Sequence, residues 1–209
     1  NLATDCNHLL APTKGSTDFF HSCGNGSVGV PDNFNGTQLP FSGKGYAGLY
    51  LFSPNEYREY IQFKLKSPLE KGEVYQLSMR LSLAEYSGIA MQEITALFSA
   101  ELLNIDTNEN LSPRRLRQFH HESFSFINFK VKRSILDDKV WALVTAEYEA
   151  KGFERYLTFG NFKKDKYSRI LQLAKKHARL KQAAYYYIDD VKVVKSDLRP
   201  FTVNEPFVL

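Results

Sequence analysis

The stretch YYYIDDVKVV, residues 185–194, decides the fold. Tyrosine, isoleucine and valine at most positions make it a strand. Alternate side chains of a strand point to opposite faces. Tyr187, Asp189, Val191 and Val193 therefore share one face, and Tyr186, Ile188, Asp190 and Lys192 share the other. The two valines mark the first face as the core side. Asp189 is thus predicted to point inward, where a bare carboxylate is too costly to keep without a partner.

Working outward from this strand, further extended segments follow one another along the chain. EYIQFKL (59–65) sets Glu59, Ile61, Phe63 and Leu65 on one face, and VYQLSMRLSLAEY alternates from Val74 to Leu83. AMQEITALFSAEL (90–102) fits a strand or a helix, and ESFSFINFKVK (122–132) has an imperfect period. VWALVTAEYEA (140–150) and ERYLTFGNF (154–162) complete the set before residue 185. The separators SPLEKGE, NIDTNENLSP and EAKGFE are rich in turn formers. Residues 1–48 are dense in Gly, Asn, Pro, Ser and Thr and predict ordered loops. Seven or eight strands joined by turns predict an all-β sandwich. With 43% apolar residues, including 12 Tyr and 16 Phe, 209 residues suffice for a real core.

One stretch departs from the pattern. KKDKYSRILQLAKKHARLKQAA (163–184) places Ile170, Leu173, His177 and Leu180 near a helical period and carries eight Lys or Arg against one Asp. It predicts a helical or loop insertion before the last strand. Its cations Lys163, Lys164, Lys166, Arg169, Lys175, Lys176, Arg179 and Lys181 form a candidate interaction surface. A net charge of only +4 does not demand nucleic acid, so protein docking is the preferred use of that surface.

Cys6 and Cys23 are the only cysteines and form a candidate disulfide, the pattern of an oxidising compartment. No run of 18 apolar residues is present to span a membrane as a helix. The chain starts at Asn1 without Met, which suggests a processed or trimmed start, and its last residues, EPFVL, suggest that a further domain follows.

Catalytic signatures are weak. GKGYAGLYLF (43–52) lacks the Gly-Lys-Ser/Thr of a phosphate loop, so its glycines are assigned to close packing under aromatic rings. Glu59 and Glu154 are the only tempting acid pair, and nothing in the sequence brings them together. His120 and His121 sit in a basic, turn-like stretch without a nucleophile motif. Tyr46, Tyr50, Tyr57 and Tyr86 are candidates for a sugar-stacking platform. Asn25 and Asn35 head Asn-Gly-Ser and Asn-Gly-Thr triplets, which read as exposed turns.

Taken together, GSTDFFHSC, VPDNFNGTQLPFSGKGYAGLY, EYREYIQFKLKSPLEKGEVYQLSMRLSLAEYS, WALVTAEYEAKGFERYLTFGNF and YYYIDDVKVV resemble the N-terminal module of OmpA-like envelope proteins of Bacteroidota-type bacteria. The resemblance covers most of residues 15–194 and implies a jelly-roll, galactose-binding-like sandwich over 1–197. Residues 198–209 would then lead into an absent peptidoglycan-binding domain. It further implies a non-catalytic role in the cell envelope, periplasmic rather than surface-exposed, docking on an outer-membrane protein complex. A glycan is the alternative partner, and an envelope hydrolase the third. In jelly-roll sugar-binding modules, the first Asp of such a last strand ligates a structural calcium. Here that would recruit Asp189 with Asp18, Asn25 and Asp32, calcium needing six to eight oxygens. Two features depart from the pattern: NLATDCNHLL lacks the Glu expected in the opening strand, and the basic insertion is long. The competing expectation is that Asp189 accepts hydrogen bonds from loop N–H groups or pairs with Arg or Lys.

Overall fold

The computed structural model describes residues 9–119, 122–131, 133–174 and 177–196. Over these the chain is a jelly-roll sandwich of two five-stranded antiparallel sheets. The first sheet runs β1 (Leu9–Leu10), β6 (Ile61–Lys64), β12 (Tyr156–Gly160), β9 (Thr95–Ser99) and β10 (Phe124–Asn128). The second runs β11 (Ala142–Glu149), β7 (Val74–Leu83), β14 (Ala184–Lys195), β5 (Gly45–Phe52) and β2 (Asp18–His21). Two small two-stranded pairs join β3 (Asp32–Asn33) to β4 (Gly36–Thr37) and β8 (Ile89–Met91) to β13 (Ile170–Gln172). The alternation read from Val74 to Leu83 appears directly: Leu77, Met79, Leu81 and Leu83 face the core, as do Ala142, Val144 and Ala146 of the neighbouring β11. Leu49, Leu51, Ile61, Phe98, Leu157 and Phe159 meet them from the other strands.

The deciding strand differs from its sequence reading in one respect. Ala184, Tyr186 and Ile188 face the inter-sheet core, and so do Val191 and Val193. No regular strand can do that, because 188 and 191 have opposite parity. Asp189 pairs with Arg80 while Lys192 pairs with Ser78, so β14 holds one residue more than β7 across this step. The extra residue is a β-bulge, with Asp190 at φ 51°. The bulge reverses the alternation, and Asp189 lies on the outer face with Tyr185 and Tyr187. The expectation that Asp189 shares the valines' face is therefore corrected.

The insertion at 163–184 is a loop excursion, not a helix. A 3₁₀ turn covers Asp165–Tyr167, β13 follows, and Lys181 bridges to Ser87. Ile170 and Leu173 pack on the main core. The helical spacing of these apolar residues is overridden by strand pairing with β8, and eight cations in so short a stretch disfavour a helix through like-charge repulsion. The basic stretch at 113–119, by contrast, forms a short helix, α1 (Pro113–Phe119), anchored by Leu116.

Arg58 is fully buried, at 0% exposure. Its guanidinium ion-pairs with Asp165 at 2.7 Å, donates to the carbonyls of Ser53 and Tyr57, and stacks on Phe52. Asp165 also accepts from the Glu56 amide, while Glu56 accepts from the Asp165 amide and from Asn110. This lattice ties the excursion to the β5–β6 loop.

Candidate functional site: a tyrosine rim on the outer face

The outer face of the second sheet is unusually aromatic. Phe20, Tyr46, Tyr185 and Tyr187 form a second apolar cluster there, roofed by Val30, Phe34 and Trp141. Gly48 makes the arrangement possible. A Cβ at that position would lie 2.4 Å from the Tyr185 hydroxyl and 2.6 Å from the Phe20 ring. The glycine is therefore there for close packing under aromatic rings, as its sequence context indicates. The strand that carries it, β5, is central to the sheet and was not recognisable as a strand behind its glycines.

At one margin of this face the cover opens. Tyr50, projecting from β5, meets the Tyr57 ring edge-on at 6.1 Å and the Tyr185 ring at 4.7 Å. Asp18 of β2 accepts from the Tyr185 hydroxyl at 2.7 Å. Glu59 lies at the floor, 1% exposed. It accepts from the Tyr57 hydroxyl (2.6 Å), the Tyr50 amide (2.8 Å) and the Ser16 hydroxyl (3.3 Å). Burial pushes its pKa up to about 7; these hydrogen bonds hold it lower, and the neighbouring Asp18 adds to the rise. Burial also raises Asp18, against the pull of Tyr185 and Lys181. Tyr57 is pushed up to about 12 by burial and then by Glu59.

The end of the excursion closes the rim from above. The Lys181 ammonium sits 4.8 Å over the Phe34 ring and donates to Asn35 Oδ1 (2.5 Å) and the Tyr50 hydroxyl (3.1 Å). His177 stacks on Tyr86 at 4.7 Å, and the Arg179 guanidinium lies 5.6 Å over the same ring. Of the four tyrosines singled out from the sequence, Tyr50, Tyr57 and Tyr86 are half-buried at this margin, whereas Tyr46 is buried. The rim thus offers phenol edges, the half-buried Asp18 carboxylate as acceptor and the Lys181 ammonium as donor, with the buried Glu59 fixing Tyr57 and Ser16 from below. That set suits a polyhydroxylated ligand. Asp18, Glu59, Ser16 and Lys181 are brought together only by the tertiary fold; Glu59's inward orientation was legible, its neighbours were not.

The calcium candidates do not assemble. Asp189 Oδ2 accepts from the Phe41 and Ser42 amides at 2.9 Å each, and Oδ1 accepts from the Ser42 hydroxyl and the Asp190 amide. Asp18 is held by Tyr185 on the far side of β5, two strand spacings away, which is about 10 Å. Asp32 accepts from the Thr37 hydroxyl, and Asn25 flanks an exposed 3₁₀ turn. No group of three His, Cys, Asp or Glu suited to a metal occurs among the described residues. The residues present do not fit a calcium site, and loop donors hold Asp189 instead.

The predicted basic surface divides. Arg179 and Lys181 belong to the tyrosine rim. Lys163 pairs with Glu93, Lys164, Lys166 and Arg169 are exposed, and Lys175 and Lys176 lie outside the described residues. Cys23 is exposed, and its expected partner Cys6 lies outside the described residues, as do His120 and His121. Asn35 is buried, contrary to the exposed turn expected for it, because its amide receives Lys181. Glu154 is also buried. It accepts from the Tyr148 hydroxyl and from the Lys151 and Gly152 amides, which outweigh burial and keep its pKa below the ordinary value. It secures the β11–β12 turn and contributes nothing to Glu59.

No family model and no curated protein matches the chain. Among solved structures, it is similar to the CBM22-1 xylan-binding domain of Paenibacillus barcinonensis Xyn10C, with 12% identity, a TM-score of 0.46, and coverage of 90% of this chain and 87% of that one. It is also similar to the CBM22-1–GH10 modules of Clostridium thermocellum endo-1,4-beta-D-xylanase 10B complexed with xylohexaose (12% identity, TM-score 0.44), covering 90% of this chain but only 26% of that one. A CBM4 structure is similar at 13% identity and a TM-score of 0.34, with 86% of each chain covered. The OmpA-like, envelope part of the sequence resemblance finds no support among these structures.

Proposed function

We propose that the protein is a non-catalytic carbohydrate-binding module whose site is the tyrosine rim. The observation that carries this is the convergence of half-exposed Tyr50, Tyr57 and Tyr86 with Asp18 and Lys181 on one margin of a sheet. Carboxylates accept from sugar hydroxyls, an ammonium donates to ring or hydroxyl oxygens, and phenol edges supply apolar contact for C–H faces. A binding role fits the carboxylates better than hydrolysis. Glu59 and Glu154 are each saturated by their own donors in separate places, whereas a glycosidase needs two that flank one bond. Titration of the protein against a panel of neutral oligosaccharides tests this. At least one should bind, and Tyr57→Ala and Asp18→Asn should each weaken it at least fivefold. Absence of binding across the panel refutes the proposal.

A second reading has its own observation. Leu39 (66% exposed), Phe41, Val140 and Leu143 lie together beside Trp141, whose indole N–H donates to the Leu39 carbonyl. Arg80, the cross-strand partner of Leu143, covers Phe41. An exposed apolar patch of this kind suits a protein partner, including the envelope partner expected from the sequence. Loss of partner capture in Leu39→Ser/Phe41→Ser, with glycan binding intact, would assign docking to it.

A further inference from the structure

A second concavity lies apart from the tyrosine rim, between the start of α1 and the first turn of the excursion. It measures about 400 Å³ and is lined by Pro113, Arg114, Phe162, Lys164, Lys166 and Tyr167, with Lys163 at its edge. Four cations border it, and their pairing is uneven. Lys163 is neutralised by Glu93 at 2.8 Å, and the nearby Asp165 is committed to Arg58. Arg114, Lys164 and Lys166 are exposed and have no carboxylate partner among the described residues. Tyr167 is 62% exposed, with the Lys166 ammonium 4.7 Å over its ring.

We propose that this cleft is a binding subsite for the carboxylate or sulfate of an acidic sugar residue. Three uncompensated cations around one depression leave a local positive field that an anion relieves. The exposed Tyr167 ring supplies an apolar wall against which a sugar ring lies. The cleft's size suits one or two rings. An extended polyanion such as nucleic acid is the poorer fit, because it gains affinity from many phosphate contacts along a basic track, and the whole chain carries a net charge of only +4. The choice of a sugar as carrier of the anion rests on the carbohydrate reading above; the anion subsite rests on the cleft.

The test is isothermal titration of the 209-residue protein with tri-galacturonic acid, with its fully methyl-esterified form as the uncharged match, and with a sulfated trisaccharide. An oligodeoxynucleotide of equal charge is the fourth probe, all in 50 mM salt. The acid or the sulfated sugar should bind at least tenfold more tightly than the ester. Lys164→Ala/Lys166→Ala should abolish that preference, and Tyr167→Ala should weaken the acidic sugar at least fivefold. Whether the acid or the sulfated form binds more tightly names the anion. Equal affinity for acid and ester overturns the subsite while leaving the carbohydrate reading standing. Tighter binding of the oligodeoxynucleotide, or a preference that survives in the double variant, also overturns it. Lys164, Lys166 and Tyr167 are exposed, and unchanged melting temperatures exclude misfolding as the cause of a loss.

Discussion

Replacing Glu59 by Gln should flatten a specific part of the protein's stability–pH profile. Glu59 is 1% exposed, and burial carries its pKa from the ordinary 4.5 to about 7 in the folded chain. The folded state therefore holds a proton that the unfolded state has released between these two values. Stability must then fall as pH rises through the window, and the loss is complete above about 7. A rise of that size corresponds to about 3 kcal/mol. Gln reproduces the protonated acid: its amide oxygen accepts from the Tyr50 N–H, and its NH₂ faces a Tyr57 hydroxyl that turns to accept. Urea denaturation of both proteins at intervals from pH 4.5 to 8 is the assay. The Gln variant should gain on the wild type steadily across the window, by up to about 3 kcal/mol at pH 8. Two curves that stay parallel, or a wild type that gains relative to the variant as pH rises, would refute the account of a carboxylate charged against its surroundings.

The other expectations concern the last strand and the buried cation. Asp189→Ala should cost about 2–3 kcal/mol, because four donors lose their acceptor, and hydrogen exchange at the Phe41 and Ser42 amides should quicken. Asp190→Gly should be nearly neutral, the relief at φ 51° offsetting a half-exposed pair with Lys192, whereas Asp190→Val should cost at least about 1 kcal/mol more in urea melts. Asp165→Ala should cost about 3–5 kcal/mol, since it strands the wholly buried Arg58 charge, while Arg58→Met, which removes the charge itself, should cost less. If the two prove equal by thermal melting, the Arg58 charge is not what Asp165 stabilises.

What the sequence disclosed and what it hid follow from how far each feature reaches along the chain. The alternation of β7 and β11 is written in adjacent residues, so their faces are legible, and with them the sandwich. In β14 the same rule fails at one point. Nothing local announces a bulge at Asp190, because an aspartate in a strand carries no periodic signal, and the extra residue shows only against the count on β7. Its consequence is nonetheless large: the reversal lets one strand bury Tyr186 and Val191 on the same side and frees Asp189 to hold the loop at Phe41. The apolar period in 163–184 was real but misleading, since Ile170 and Leu173 reach the core through a strand pairing with β8 that lies eighty residues away in sequence. The rim was the least legible part. Ser16 with Asp18, Glu59, and Lys181 come from three distant segments, and only Glu59 bears a sign of its position in its own neighbourhood. Yet the two hidden features are connected. Reversing the face at Asp190 leaves Tyr185 and Tyr187 outward on the near half of β14, and without that outward pair Asp18 would lose its phenol donor and Tyr50 its nearer ring contact. The bulge that the sequence concealed is thus what lets one strand serve the core at its far end and the tyrosine rim at its near end.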